Sequence, residues 1–100
     1  MTMSGYERRV VGFETIAVSN AAGGIGPISG SAVTSGTTAA FFGPVETNSI
    51  RWRADGTAPS ATVGHLLQSG QTLYLEGDAV RKILFIRVSA DSALPVTYYE

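Results

Sequence analysis

The sequence predicts an all-β protein, a single compact β-sandwich or jelly-roll-like barrel of about 6–8 short antiparallel strands. Three observations carry this reading. Apolar residues recur with a period of two, turn-forming residues interrupt the chain at short intervals, and no segment has the length and spacing of an amphipathic helix. One hundred residues and 10.4 kDa suffice for one core and leave no room for a second.

The elements follow in order. Met1 to Arg9 is expected as an arm that orders on assembly, ahead of one β domain over residues 10–100. Val10 to Val18 is rich in β-branched residues, and Thr37 to Phe42 is a second strand candidate. Ile28 to Thr34 is a weaker one. From Ile50 to Ala54, the apolar Ile50, Trp52 and Ala54 alternate with Arg51 and Arg53, as in a half-buried strand. Leu73 and Leu75 alternate with Thr72, Tyr74 and Glu76. Ile83 to Val88 is apolar on both faces apart from Arg87, which predicts a central strand. Leu94, Val96 and Tyr98 give a last alternating strand, with Pro95 placing it at a sheet edge or marking its start. Breakers lie at Asn20 to Pro27, Gly43-Pro44, Asp55 to Pro59, Ser69 to Gln71, Gly77-Asp78 and Ala90 to Ser92.

Charge is sparse. Asp, Glu, Lys and Arg make up 15% of the chain against about 25% in an ordinary soluble domain. A folded monomer of this mass exposes roughly 5,400 Å², so apolar area is expected at the surface, where large patches mark contact with another protein. The net charge of −1 supplies no field to hold nucleic acid or an anionic membrane. Cysteine is absent, which excludes disulfide scaffolds, thiolate zinc sites and cysteine nucleophiles. No charge falls between Thr15 and Val45, yet the glycines, prolines and hydroxyl side chains there fit turns and strands better than a lipid-facing helix. Glu14 interrupts the run after Arg8 and Arg9 too early for a signal peptide. Neither a membrane nor a secretory route is expected.

Candidate chemistry is thin. His65 is the single histidine and has no companion at metal-ligand spacing, so neither a metal nor any other cofactor is expected, and its ring is read as orienting the loop around it. A Ser-His-Asp relay would need a geometry that no nucleophile-elbow motif announces. Glu76 and Asp78 flank Gly77, which predicts a solvated turn leading to a strand near Val80. Gly23-Gly24-Ile25-Gly26-Pro27 lacks the third glycine and the lysine of phosphate-binding loops, and reads as a connection. Strand alternation places Trp52 opposite Arg51 and Arg53, so base stacking and phosphate contact cannot combine there. Trp52 then reads as a core anchor and the arginines as a basic edge paired with carboxylates.

The richest pattern is RWRADGTAPSATVGH, Arg51 to His65. Asp55-Gly56 supplies an Asx-capable turn, and Pro59 extends Ala58. Asp55 to Gly64 is therefore expected as an ordered excursion suited to partner contact, or simply as a loop closing one end of the sandwich.

This run, together with Gly70 to Gly77, Ile83 to Val88 and Leu94 to Tyr98, resembles a group of small proteins encoded in tailed-phage and prophage genomes. The resemblance spans Ile50 to Tyr99. Leu84 and Phe85 depart from its more polar pattern, and the N-terminal half has no counterpart in it. It implies a hairpin over Gly70 to Gly77 and a non-enzymatic virion component: a capsid decoration or cement protein, a head-fibre or accessory knob, or a tail-associated subunit. The Gly70 to Gly77 run is also similar to cupin-type jelly rolls, whose metal site needs more histidines than this chain has.

The leading expectation is a structural subunit of the virion, assembled in the host cytoplasm, that forms a homo-oligomer, favoured as a trimer, and docks on the major capsid or another virion protein. The candidate contact loop and edge comprise Arg51, Arg53, Asp55, Gly56, Thr57, Pro59 and His65. Phe41, Phe42, Trp52, Tyr74, Phe85, Tyr98 and Tyr99 are candidates for core or subunit contacts. A carbohydrate- or receptor-binding module, with Trp52 or Tyr74 under the sugar, is the alternative.

Overall fold

A computed structural model describes residues 9–20 and 36–100 of the chain. Seven strands, all paired antiparallel, form two sheets: β1 (Val10–Val18), β2 (Ala39–Phe42), β5 (Leu73–Glu76) and β7 (Ser92–Tyr99) in the order β1-β7-β2-β5, and β3 (Ile50–Arg53), β4 (His65–Leu67) and β6 (Leu84–Arg87) in the order β4-β3-β6. The all-β sandwich-like arrangement agrees with the period-two pattern. Ile28 to Thr34, the glycine cluster at Gly23 to Pro27 and the arm up to Arg8 lie outside the described residues. Arg9 pairs with Glu100 and accepts a hydrogen bond from its amide.

β7 shows why the sheets meet. Its side chains alternate without exception, Ser92, Leu94, Val96 and Tyr98 buried and the residues between them half-buried. Ile16 and Val18 of β1, Ala40 and Phe42 of β2, and Leu94, Val96 and Tyr98 present one apolar face, against Ile50, Leu67 and Phe85 of the smaller sheet. Phe42 and Phe85 meet across the interface with ring centroids 5.5 Å apart and planes tilted by 55°, a favourable aromatic geometry. The buried Tyr98 hydroxyl donates to the Glu14 carboxylate, so no polar side-chain atom is left buried without a partner among the described residues.

Four expectations are corrected. Ile83 to Val88 does not form a central strand: β6 is at the edge of its sheet and β3 occupies the centre. The outer side of β6 is closed instead by the Arg87 amide, which donates to Ser19 O at 2.9 Å. Pro95 lies inside β7, bonded on both sides, not at an edge or a start. This is tolerated because the Pro95 carbonyl accepts from Gly43 N at 2.7 Å just past the end of β2, so the missing N–H faces a place where the ladder has stopped. Gly43 is required there, having φ +112° and room for no Cβ, which would lie 2.7 Å from Gln71 O. Gly70 to Gly77 is not a hairpin, because β4 and β5 belong to different sheets and the chain between them crosses over. Finally, no strand starts near Val80. A single helical turn, α1 (Ala79–Lys82), buries Val80 and links β5 to β6.

Phe85→Ala should cost about 3–5 kcal/mol of unfolding free energy, whereas Phe41→Ala, on the outer face, should cost under about 1 kcal/mol, as measured by urea denaturation. Burial first, and then the Glu14 hydrogen bond, raise the Tyr98 pKa. Folding thus favours the neutral phenol, whose stabilisation is complete below the ordinary value of about 10 and is lost as pH rises toward the raised one. Wild-type stability should fall above pH ~10 more steeply than that of Tyr98→Phe.

Candidate functional site

The loop from Asp55 to Gly64 is built by short-range bonds. Asp55 Oδ1 accepts the Thr57 amide at 3.2 Å, closing the Asx turn whose Gly56 has φ +87°. Further on, Ser60 and Val63 exchange main-chain hydrogen bonds at 2.9 and 3.3 Å, and Ser60 Oγ accepts the amides of Thr62 and Val63. Pro59 is buried beneath the loop. At Gly64 (φ +134°) the chain folds back against β3, where a Cβ would lie 3.1 Å from both Trp52 O and Pro59 Cβ. An ordered excursion is what Asp55, Gly56 and Pro59 predicted.

The arginines divide the work. Arg51 reaches along the loop to donate from Nε to Ala61 O at 3.0 Å and from Nη1 to Gly64 O at 2.9 Å. Arg53 grips Asp55 with two bonds, Nε to Oδ1 at 3.1 Å and Nη2 to Oδ2 at 2.5 Å. Only Arg53 is therefore paired with a carboxylate; Arg51 serves main-chain carbonyls. The Arg53 hydrogen bonds, followed by the one from Thr57, lower the Asp55 pKa to about 2.

Trp52 is half-buried and packs at the margin of the core. Its cross-strand partner is the exposed His65, and the two rings stack with centroids 4.6 Å apart and planes 36° from parallel. Among the described residues this contact is the interaction the His65 ring makes, and its ring nitrogens accept or donate no hydrogen bond there. Trp52, Arg53, Ala54, Asp55, Val63, Gly64 and His65 line an open cleft of about 600 Å³. Trp52 and Arg53 both line this cleft, which lies at the end of β3. Sequence reasoning missed Val63 and Gly64, which come to the cleft only because the loop returns on itself.

The remaining aromatics separate by face. Phe42, Phe85 and Tyr98 are core residues, each with no exposed surface. Phe41 and Tyr74 are exposed and Tyr99 is half-buried. Phe41 pairs with Tyr74 on one side and Thr97 on the other, and Thr97 pairs with Phe13. One row of side chains, Phe13-Thr97-Phe41-Tyr74, therefore crosses the outer face of all four strands. Val10, Tyr99, Ala39 and Glu76 form the row beside it. Phe13 is 62% exposed and Tyr74 46%. Phe13 was missed in the sequence, although the alternation that buries Ile16 and Val18 of β1 turns it to the opposite face.

Glu76 and Asp78 do not form a site. Glu76 accepts from the Tyr74 hydroxyl at 3.1 Å and Asp78 pairs with Lys82 at 2.9 Å, both at the surface. Among the described residues, no group of three or more His, Cys, Asp or Glu could hold a metal ion, and no helix is long and apolar enough to cross a membrane. No protein-family model, curated protein or solved structure matches the chain.

The depressed pKa of Asp55 means that its pairing is complete above the ordinary value of about 3.9 and is lost as pH falls through about 2. An NMR titration of the Thr57 amide should show this transition near pH 2, and Asp55→Asn should abolish it. Arg51→Met, which removes both loop clamps, should speed hydrogen exchange at Thr62 and Val63 by at least ~10-fold while leaving the β7 amides protected.

Proposed function

We propose that this chain is a non-enzymatic structural subunit that packs against copies of itself on the outer face of its four-stranded sheet and docks on a larger virion protein, as a capsid decoration or cement protein of a tailed phage. The observation that carries the self-association is the exposed row of Phe13, Phe41 and Tyr74, with Val10 and Tyr99 beside it. The four strands, β1 and β7 of nine and eight residues and β2 and β5 of four each, span roughly 400 Å² in projection at a spacing of about 4.8 Å. A stable interface needs about 800 Å² per partner, so the face supplies about half and the loops at its ends the rest. Glu76 is the one ionised side chain in the register rows of this face, so apposed copies bring few like charges together. A second copy of the same apolar face is thus the partner whose chemistry suits it.

The phage context is supported by the resemblance of Arg51 to His65 and of the strands after it. The sparse charge fits a subunit that covers much of its surface in an assembly. In this reading the shell contact lies away from the self-association face.

Static light scattering should give a mass that is a multiple of 10.4 kDa greater than one. Phe13→Glu combined with Tyr74→Glu should weaken association by about 100-fold or more with unchanged circular dichroism. Purified protein should also saturate sites on phage capsids lacking their decoration protein. A monomer at high concentration overturns the self-association, and failure to saturate any such capsid overturns the virion assignment.

A further inference from the structure

We propose that the cleft lined by Trp52, Val63 and His65 binds one ring of a neutral saccharide. The inference is independent of the self-association face, which lies on the other sheet. A pyranose has a face of C–H groups and a rim of hydroxyls that both donate and accept. A site for it needs a fixed aromatic surface, a little aliphatic wall, and polar groups at the margin that are not consumed by the fold.

The cleft supplies each of these. The Trp52–His65 stack holds both rings in place before any ligand arrives, so binding orders little. Ala54 and Val63 provide the aliphatic wall, and Val63 is 53% exposed. At the margin, Arg53 uses Nε and Nη2 on Asp55, leaving Nη1 without a partner among the described residues. The indole Nε1 of Trp52 and the ring nitrogens of His65 likewise have no hydrogen-bond partner among the described residues. The margin offers donors from Arg53 and Trp52, an acceptor from Asp55, and the ring nitrogens of His65. A fork-shaped Arg–Asp pair, already locked, presents both kinds of group at fixed spacing, which suits adjacent hydroxyls.

Charge selects among ring-shaped ligands. Arg53 and Asp55 cancel, so their pair adds no net charge to the lining. An acidic sugar or a nucleotide would need a free cation. The Arg53 charge is compensated by Asp55, and Arg51 is spent on Ala61 O and Gly64 O, so neither brings an uncompensated cation to a carboxylate or phosphate. Stacking alone does not secure a single-stranded nucleic acid without phosphate contacts.

Trp52 is the only tryptophan, so its fluorescence reports on the cleft directly. Full-length protein is titrated with methyl glucoside, methyl galactoside, N-acetylglucosamine and their oligomers, with galacturonic acid, sialic acid and an oligothymidylate as comparators. A neutral-glycan array extends the panel. The expected result is a saturable shift with a neutral saccharide, changed less than twofold by half-molar salt, and weakened at least 10-fold in His65→Ala. Because His65 is exposed, this variant keeps the fold. Trp52→Phe, followed by calorimetry, should retain part of the affinity. The same response in the Phe13→Glu, Tyr74→Glu double variant separates this site from the self-association face. Absence of a saturable response across the neutral panel and array overturns the proposal, as does binding of only the acidic sugars or the oligothymidylate.

Discussion

The register of β7 is the constraint on which the rest of the molecule depends. This strand is paired on both sides, to β1 and to β2, and every second side chain of it is sealed in the core. A slip of one residue would expose Leu94, Val96 and Tyr98 together and bury Ala93, Pro95, Thr97 and Tyr99 in their place. The alignment that buries Tyr98 against Glu14 also sets Phe13, Thr97, Phe41 and Tyr74 in one line on the opposite face. Interior and exterior are therefore one decision, made once along a single strand.

The smaller sheet carries a different kind of specificity. Its centre, β3, is four residues long and contributes Ile50 inward, while Arg51 and Arg53 are turned to the loop that follows. Beside the burial of Ile50, Leu67 and Phe85, the arginines of this sheet hold the following loop against it. The two sheets are tied through Phe42 and Phe85 in the middle and through the Ser19–Arg87 bond at a corner. The chain changes sheet repeatedly, after β2, β4, β5 and β6, so few neighbours in sequence are neighbours in a ladder.

That repeated crossing explains what could be read in the sequence and what could not. The bounds of β1, the alternation of β7 and the turn at Asp55-Gly56 follow from local chemistry, and each was legible. β4 was not, because three residues with two of them exposed carry no periodic signal. β6 looked central because Leu84 and Ile86 add apolar residues to its outer side, yet they remain half-buried at an edge. Phe41 and Phe42 had to face opposite ways as neighbours in a strand, but only the pairing with Val96 and Leu73 decides which is inside. The candidate cleft was half legible. Trp52, Arg53, Asp55 and His65 stood out as a cluster, while Val63 and Gly64 depend on where the loop comes back.

The grip of Arg51 on the loop falls on main-chain oxygens, those of Ala61 and Gly64. Such a clasp is blind to the side chains it restrains. The positions at the tip, Thr57, Ala58, Ala61 and Thr62, are free to change identity under selection without loosening the anchor that presents them. Asp55, which caps the first turn, Gly56 at φ +87°, buried Pro59, Ser60, whose hydroxyl accepts two loop amides, and Gly64, with no space for a Cβ, are bound to stay. The loop is thus a fixed handle whose tip side chains the anchoring bonds leave unconstrained.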